Sequence, residues 1–173
     1  MPAEPPRVLL VVWTSTTGGT RQMVDAAAHG AHQVLEHSTD NVEVRVRHAL
    51  DAVVQDVLDA AAVLIATPEH LGSMAGQMKM FFDKVYYPCL DRVAGRVWAP
   101  MVCAGTDGQG TVRQLQRIAT GLRLRAVGEP LIILTHAHSA QDILAPKSIA
   151  AAELEKCAAL GGVLAAGLAS GLY

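Results

Sequence analysis

The clearest chemical pattern in the chain lies near its start, in Thr14-Ser15-Thr16-Thr17-Gly18-Gly19-Thr20. Hydroxyl donors precede a glycine pair, and a helical pattern follows at once. Free N–H groups at a helix N-terminus together with hydroxyls form an anion site. Gly18 and Gly19 let the backbone curl around such an anion without a Cβ in the way. Arg21 falls where a cation opposes the helix dipole, a conflict that a bound anion relieves. The same residues also read as a polar turn with Thr20 as N-cap, and residue types alone leave both readings open. The segment lacks the Gly-Lys-Ser/Thr of a Walker loop and the GxGxxG of a dinucleotide fingerprint.

Two further loops have suggestive compositions. Residues 67–74 read Thr-Pro-Glu-His-Leu-Gly-Ser-Met, with Pro68 forcing an extended exit and Gly72 suiting a tight turn. Residues 103–110 read Cys-Ala-Gly-Thr-Asp-Gly-Gln-Gly. The glycines there expose backbone N–H groups and admit a flat ring.

The surrounding pattern alternates strand and helix. Residues 7–13, 61–66 and 97–104 are continuous apolar runs, as in parallel strands buried on both faces. Residues 42–46 alternate Val-Glu-Val-Arg-Val, which marks an edge strand, and residues 127–134 form a last strand with Pro130 near its start. Helices are expected over residues 20–36, 51–58, 76–85, 111–120 and 148–168. Five strands alternating with five helices predict an α/β three-layer sandwich around a parallel sheet of order 2-1-3-4-5. In that order the ligand site lies beyond the carboxyl ends of the strands, where the loops at 14–20, 67–74 and 103–110 emerge.

Composition narrows the function. The chain has 173 residues, 51% hydrophobic and 17% charged, with a formal net charge of −2. One domain spanning residues 1–173 is expected. No basic surplus suggests nucleic acid. Cys89, Cys103 and Cys157 are odd in number and widely spaced, which argues against a disulfide framework or zinc site and for the cytoplasm. Residues 1–7 are proline-rich and lack the form of a signal peptide. Residues 157–173 are uncharged but too short and glycine-rich for a spanning helix, so no membrane association is expected. His29 and His32 could share a helix face but have no ligand partners, and a loop position is expected for His136 and His138. Cys103 reads as a buried small hydrophobe. Met74, Met78, Met80 and Phe81 read as either core or a subunit contact.

Taken in order, the three loops resemble those of flavodoxin-like NAD(P)H:quinone oxidoreductases and FMN reductases. Residues 15–20 resemble the flavodoxin phosphate signature Thr/Ser-x-Thr-Gly-x-Thr. Residues 67–83 are similar to that group's Pro-x-x-x-Gly-x-Met/Ser followed by Gly-Gln-Met-Lys-x-Phe-x-Asp. The resemblance implies a flavodoxin-like fold with Ser15, Thr16, Thr17, Gly18, Gly19 and Thr20 on the FMN phosphate. It implies Pro68, Glu69, His70, Leu71, Gly72 and Ser73 on one side of the isoalloxazine. Ala104, Gly105, Thr106, Asp107, Gly108 and Gly110 would lie on the other side and along the ribityl chain. It further implies NADH or NADPH as donor, a quinone, flavin or similar small acceptor, and a homodimer or homotetramer.

No aromatic residue lies in residues 67–74 or 105–110. Many electron-carrier flavodoxins sandwich the ring between aromatic side chains, so this absence favours a two-electron, ping-pong reductase with one open ring face. A one-electron carrier and a non-enzymatic flavodoxin-like binding protein are the alternatives. No side chain need act as nucleophile; His70 and Asp107 are candidates for steering protons. A phosphoacceptor receiver domain is excluded, because Trp13-Thr14 and Thr67-Pro68 stand where its acidic residues belong.

Overall fold

The computed structural model describes residues 5–173; the first four residues of the proline-rich start lie outside them. Strand β1 (Arg7–Trp13) has β2 (Val42–His48) on one side and β3 (Ala60–His70) on the other. Next to β3 comes β5 (Val97–Ala104), which pairs in parallel with β6 (Arg125–Ala126) and β7 (Leu131–Leu134). The parallel order 2-1-3-5-6 is the expected 2-1-3-4-5, with one short antiparallel strand, β4 (Ser73–Met74), intervening in the count.

Alternation along the strands builds two cores. Leu9, Val11, Leu64, Ala99 and Met101 face helices α1 (Gly19–Leu35) and α6 (Ala151–Ala169). Leu10, Val12, Ile65, Trp98 and Val102 face the opposite layer, α2 (Val54–Asp59), α3 (Gly76–Cys89) and α4 (Gln109–Gly121). Met74, Met78 and Phe81 are buried in this second core, whereas Met80 is exposed. Edge strand β2 is only partly buried, as its alternating charges require. Among the described residues no helix is long and apolar enough to cross a membrane.

Several expectations need correction. The last strand is two pieces: Trp98 pairs with Ala126 and Met101 with Leu131, so Ala99 and Pro100 stand level with the gap. Pro100 has no N–H to offer there, and Pro130 none on the other side. The third helix continues to Cys89, with Pro88 in its final turn. Residues 67–70 are not loop but the end of β3. Glu69 pairs with Met74 and His70 with Ser73, and a hairpin tip is left at Leu71 (φ 54°) and Gly72 (φ 71°). Two successive positive φ angles match the right-handed twist of a hairpin. A further helix, α5 (Ala140–Leu144), precedes α6.

Register aligns the strand ends. Trp13 is level with His48 and Ala66, Pro68 with Cys103, and Ala104 with Leu134. The loops after β1, β3, β5 and β7 therefore emerge at one edge of the sheet.

Candidate functional site

At that edge the loops enclose a cavity of about 540 Å³, within the usual range of roughly 300–1,000 Å³ for small-molecule sites. The first loop contributes Ser15, Thr16, Thr17, Gly19 and Thr20. Gly18 is the left-handed residue (φ 85°) that caps α1 and turns the loop inward, a conformation open to glycine at no Cβ cost. Its N–H donates to Ser15 Oγ at 3.2 Å. Thr20 is not the N-cap. It sits one residue inside α1 with its hydroxyl buried and, among the described residues, without a hydrogen-bond partner. The helix start adds N–H groups that have no intrahelical acceptor.

Arg21 does not face this cradle. Its Nε donates to Asp25 at 3.0 Å and its guanidinium lies 4.9 Å from the centre of the Trp13 ring. The conflict with the helix dipole is thus met by a carboxylate one turn along. Thr14 also turns away, its hydroxyl donating to Gln77 Oε1.

From the hairpin, Pro68, Glu69, His70, Leu71 and Gly72 line the cavity. His70 Nε2 lies 3.2 Å from Thr16 Oγ1, so the first two loops touch. The Glu69 carboxylate accepts from Gly108 N–H and from Thr111 Oγ1, each at 3.1 Å, and so joins the second loop to the third. Ser73 reaches away from the cavity to Gln114.

The third loop contributes Cys103, Ala104, Gly105 and Thr106. Asp107, Gly108 and Gly110 lie behind this wall. Asp107 is exposed and Gly108 (φ 80°) caps α4. Gly110 is pressed against the hairpin, where an added Cβ would lie 2.3 Å from Gly72 O. Cys103 packs beneath the first loop, its Sγ 2.7 Å from a Cβ built on Gly19. Burial pushes this thiol's pKa up, against the pull of the nearby Lys147 ammonium and of the Thr20 hydroxyl, which lies near the thiol without the geometry of a hydrogen bond.

A fourth wall comes from residues 135–147: Thr135, Ala137, Ile143, Leu144 and Lys147. Residue patterning does not single these out, because α5 buries nothing. Ser139-x-x-Asp142 could have revealed the helix, since the two side chains form its capping box. Lys147 Nζ donates to the carbonyls of Asp142, Ile143 and Ala145. Its backbone N–H reaches Thr17 O at 2.8 Å. Gln22 binds Lys147 O and the Ile149 N–H, tying this wall to α1. His136 and His138 are exposed in the loop, and His29, His32 and His37 lie on open surface.

The cavity thus has a donor-rich end at α1 and an apolar, glycine-lined body, with no aromatic side chain in its walls. A site of this kind at the switch point of a 2-1-3-4-5 sheet defines the flavodoxin-like class. The pattern of the NADPH-dependent FMN reductase family matches residues 13–139, and the chain belongs to that family. It is 30% identical over 114 residues to a flavodoxin of Aquifex aeolicus, a match covering 66% of this chain and 59% of that protein. It is 29% identical over 140 residues to an NAD(P)H dehydrogenase (quinone) of Paracoccus denitrificans, covering 70% of this chain and 67% of that one. The fold matches that of an archaeal flavodoxin with a TM-score of 0.69 at 17% identity, over 93% of this chain and 98% of the other.

Proposed function

We propose that the cavity holds FMN and that the protein is an NAD(P)H-dependent oxidoreductase passing two electrons to a quinone, flavin or similar small acceptor in ping-pong fashion. The observation that carries this reading is the buried Thr20 hydroxyl, unpartnered at the start of α1. An orphaned donor in such a place calls for an acceptor, and a phosphate supplies one where the helix dipole favours it.

Ser15, Thr16, Thr17, Gly19 and Thr20 would hold the phosphate. The glycine-lined third loop and the hairpin at Pro68–Gly72 would flank the ring. When bound, the isoalloxazine supplies the redox chemistry, with electrons entering from a reduced nicotinamide and leaving to the acceptor. The chain's own work is to orient and to exclude water. Glu69 locks two walls together, Gln22 fastens a third, and His70 stands at the rim beside Thr16. Walls without aromatic side chains leave a ring face free for substrate, which favours a reductase over a carrier.

The test is direct. The purified protein is expected to be yellow, or to quench FMN fluorescence on titration, and to bleach within seconds to minutes when NADPH is added anaerobically. A colourless protein indifferent to FMN overturns the flavin reading. A yellow protein bleached by dithionite but by neither nicotinamide points instead to a carrier.

A further inference from the structure

Glu69, His70, Cys103 and Lys147 are the side chains of the cavity wall that can gain or lose a proton. All but His70 are already committed. The Glu69 carboxylate is taken up by the Gly108 N–H and the Thr111 hydroxyl. The Cys103 thiol is kept neutral by burial. Lys147 donates to three backbone carbonyls, which leaves its ammonium no proton for a ligand. Its charge and that of Glu69 cancel formally.

His70 is placed differently. Successive residues of a strand point to opposite sides, so with Glu69 turned to α4 the imidazole is turned to the first loop. Its Nε2 lies 3.2 Å from Thr16 Oγ1. A hydroxyl both donates and accepts, so Thr16 serves the neutral and the protonated ring alike. Charged groups on the surrounding elements are occupied or stand outside the wall. Residues 14–20 contain none, and Arg21 is turned to Asp25. Arg113 lines the neighbouring groove with Gly72. Asp107, His136 and His138 are exposed, and Asp142 is held by Ser139. A phosphate monoester carries a charge of about −1.5 to −2 at neutral pH. In the first loop it would meet hydroxyls, helix N–H groups and one imidazole able to become a cation.

We propose that His70 supplies the counter-charge of the bound phosphate, so that FMN binding takes up a proton at this ring and pH sets the affinity. The proposal rests on the flavin reading of the cavity. A nearby anion favours the imidazolium over the neutral ring. At low pH the ring is already charged and the pairing is available in full. At high pH the ring is neutral and the pairing is lost. The contribution of His70 to affinity therefore falls as pH rises through the imidazole range, about pH 5–8.

The test compares wild type with His70→Gln at about pH 6 and about pH 8, by fluorescence titration with FMN and with riboflavin, which lacks the phosphate. The phosphate of FMN itself titrates near pH 6, but it does so against both proteins, so the difference between them isolates His70. For FMN, the ratio of Kd at the higher pH to Kd at the lower is expected to be about tenfold larger in wild type than in His70→Gln. For riboflavin the two proteins should give the same ratio. A second measurement needs wild type alone: the midpoint of the His70 ring titration, followed by NMR at constant ionic strength, should rise by about one pH unit in excess inorganic phosphate. Equal FMN ratios in the two proteins, or an equal His70 effect on riboflavin, overturn the proposal while the flavin reading stands. A midpoint that phosphate does not move also overturns it. A midpoint raised by phosphate in a protein that binds neither flavin upholds the pairing and removes the flavin reading.

Discussion

Glu69 and Gly108, thirty-nine positions apart in sequence, are joined by a hydrogen bond of 3.1 Å from the glycine N–H to the carboxylate. The other carboxylate oxygen takes the hydroxyl of Thr111, which is fully buried. Glu69→Ala leaves both donors without an acceptor and is expected to cost about 1–3 kcal/mol. Glu69→Gln keeps one acceptor oxygen and should cost less. Urea denaturation of the cofactor-free protein gives the order; equal stability of all three forms would show that the link contributes nothing.

Thr20 and Arg21 are neighbours with opposite expected effects. Thr20→Val removes an unpartnered buried hydroxyl, so the cofactor-free protein should hold or gain stability while FMN affinity falls about tenfold. Arg21→Ala, whose side chain is turned to Asp25 in solvent, should change FMN affinity by less than about threefold. Fluorescence titration of the two variants decides, and the reverse order would return Arg21 to the phosphate.

Gly110→Ala gains about 1 kcal/mol of helix propensity but sets a Cβ 2.3 Å from a backbone oxygen of the hairpin. Overpacking of that kind typically costs about 1–3 kcal/mol, and the hairpin must move. A lower Tm and weaker FMN binding are expected together. Gly76→Ala is the control, since a Cβ added there would meet no neighbouring atom within 4 Å; its Tm should hold or rise.

All three cysteines are buried. Burial, reinforced by Glu153, raises the Cys157 thiol to about 12, and burial likewise raises Cys89 and Cys103. A raised thiol pKa favours the neutral form in the folded state. Its stabilisation is complete below the unfolded value of 9.0 and is lost as pH climbs towards the folded one. Stability should therefore decline above about pH 9. Iodoacetamide at pH 8 should label the folded chain far more slowly than the urea-unfolded chain. Equal labelling rates would contradict the burial.

The sheet order was legible because the apolar runs at residues 7–13 and 97–104 fit strands buried on both faces and the alternating run at residues 42–46 fits an edge. The first loop drew attention by its hydroxyls and glycines, and Ser15, Thr16, Thr17, Gly19 and Thr20 of it do line the cavity. Less legible were features set by partners distant in sequence. Nothing near Glu69 announces that its carboxylate will be taken up by Gly108 and Thr111, whereas Asp25, four residues after Arg21 on the same helix, was a local signal for that arginine's partner. The break between Ala126 and Leu131 is matched by Pro100 on the neighbouring strand, which no local reading of the last strand includes. The wall at Ile143, Leu144 and Lys147 escaped because a five-residue helix with no buried face has no hydrophobic period to read.

The backbones of α1 and α6 meet without side chains between them: a Cβ on Gly30 would lie 2.0 Å from Ala158 O, and one on Gly161 would lie 1.9 Å from Ala27 O. The helix that presents the phosphate loop is thereby seated against a long neighbour, and its entry is pinned by Gln22 and Ser15. The entropy of shaping the loop is spent when the chain folds, not when a ligand arrives. An anion meets a finished mould, so association should approach the rate of simple encounter, and residence time alone should set how tightly the site holds its occupant.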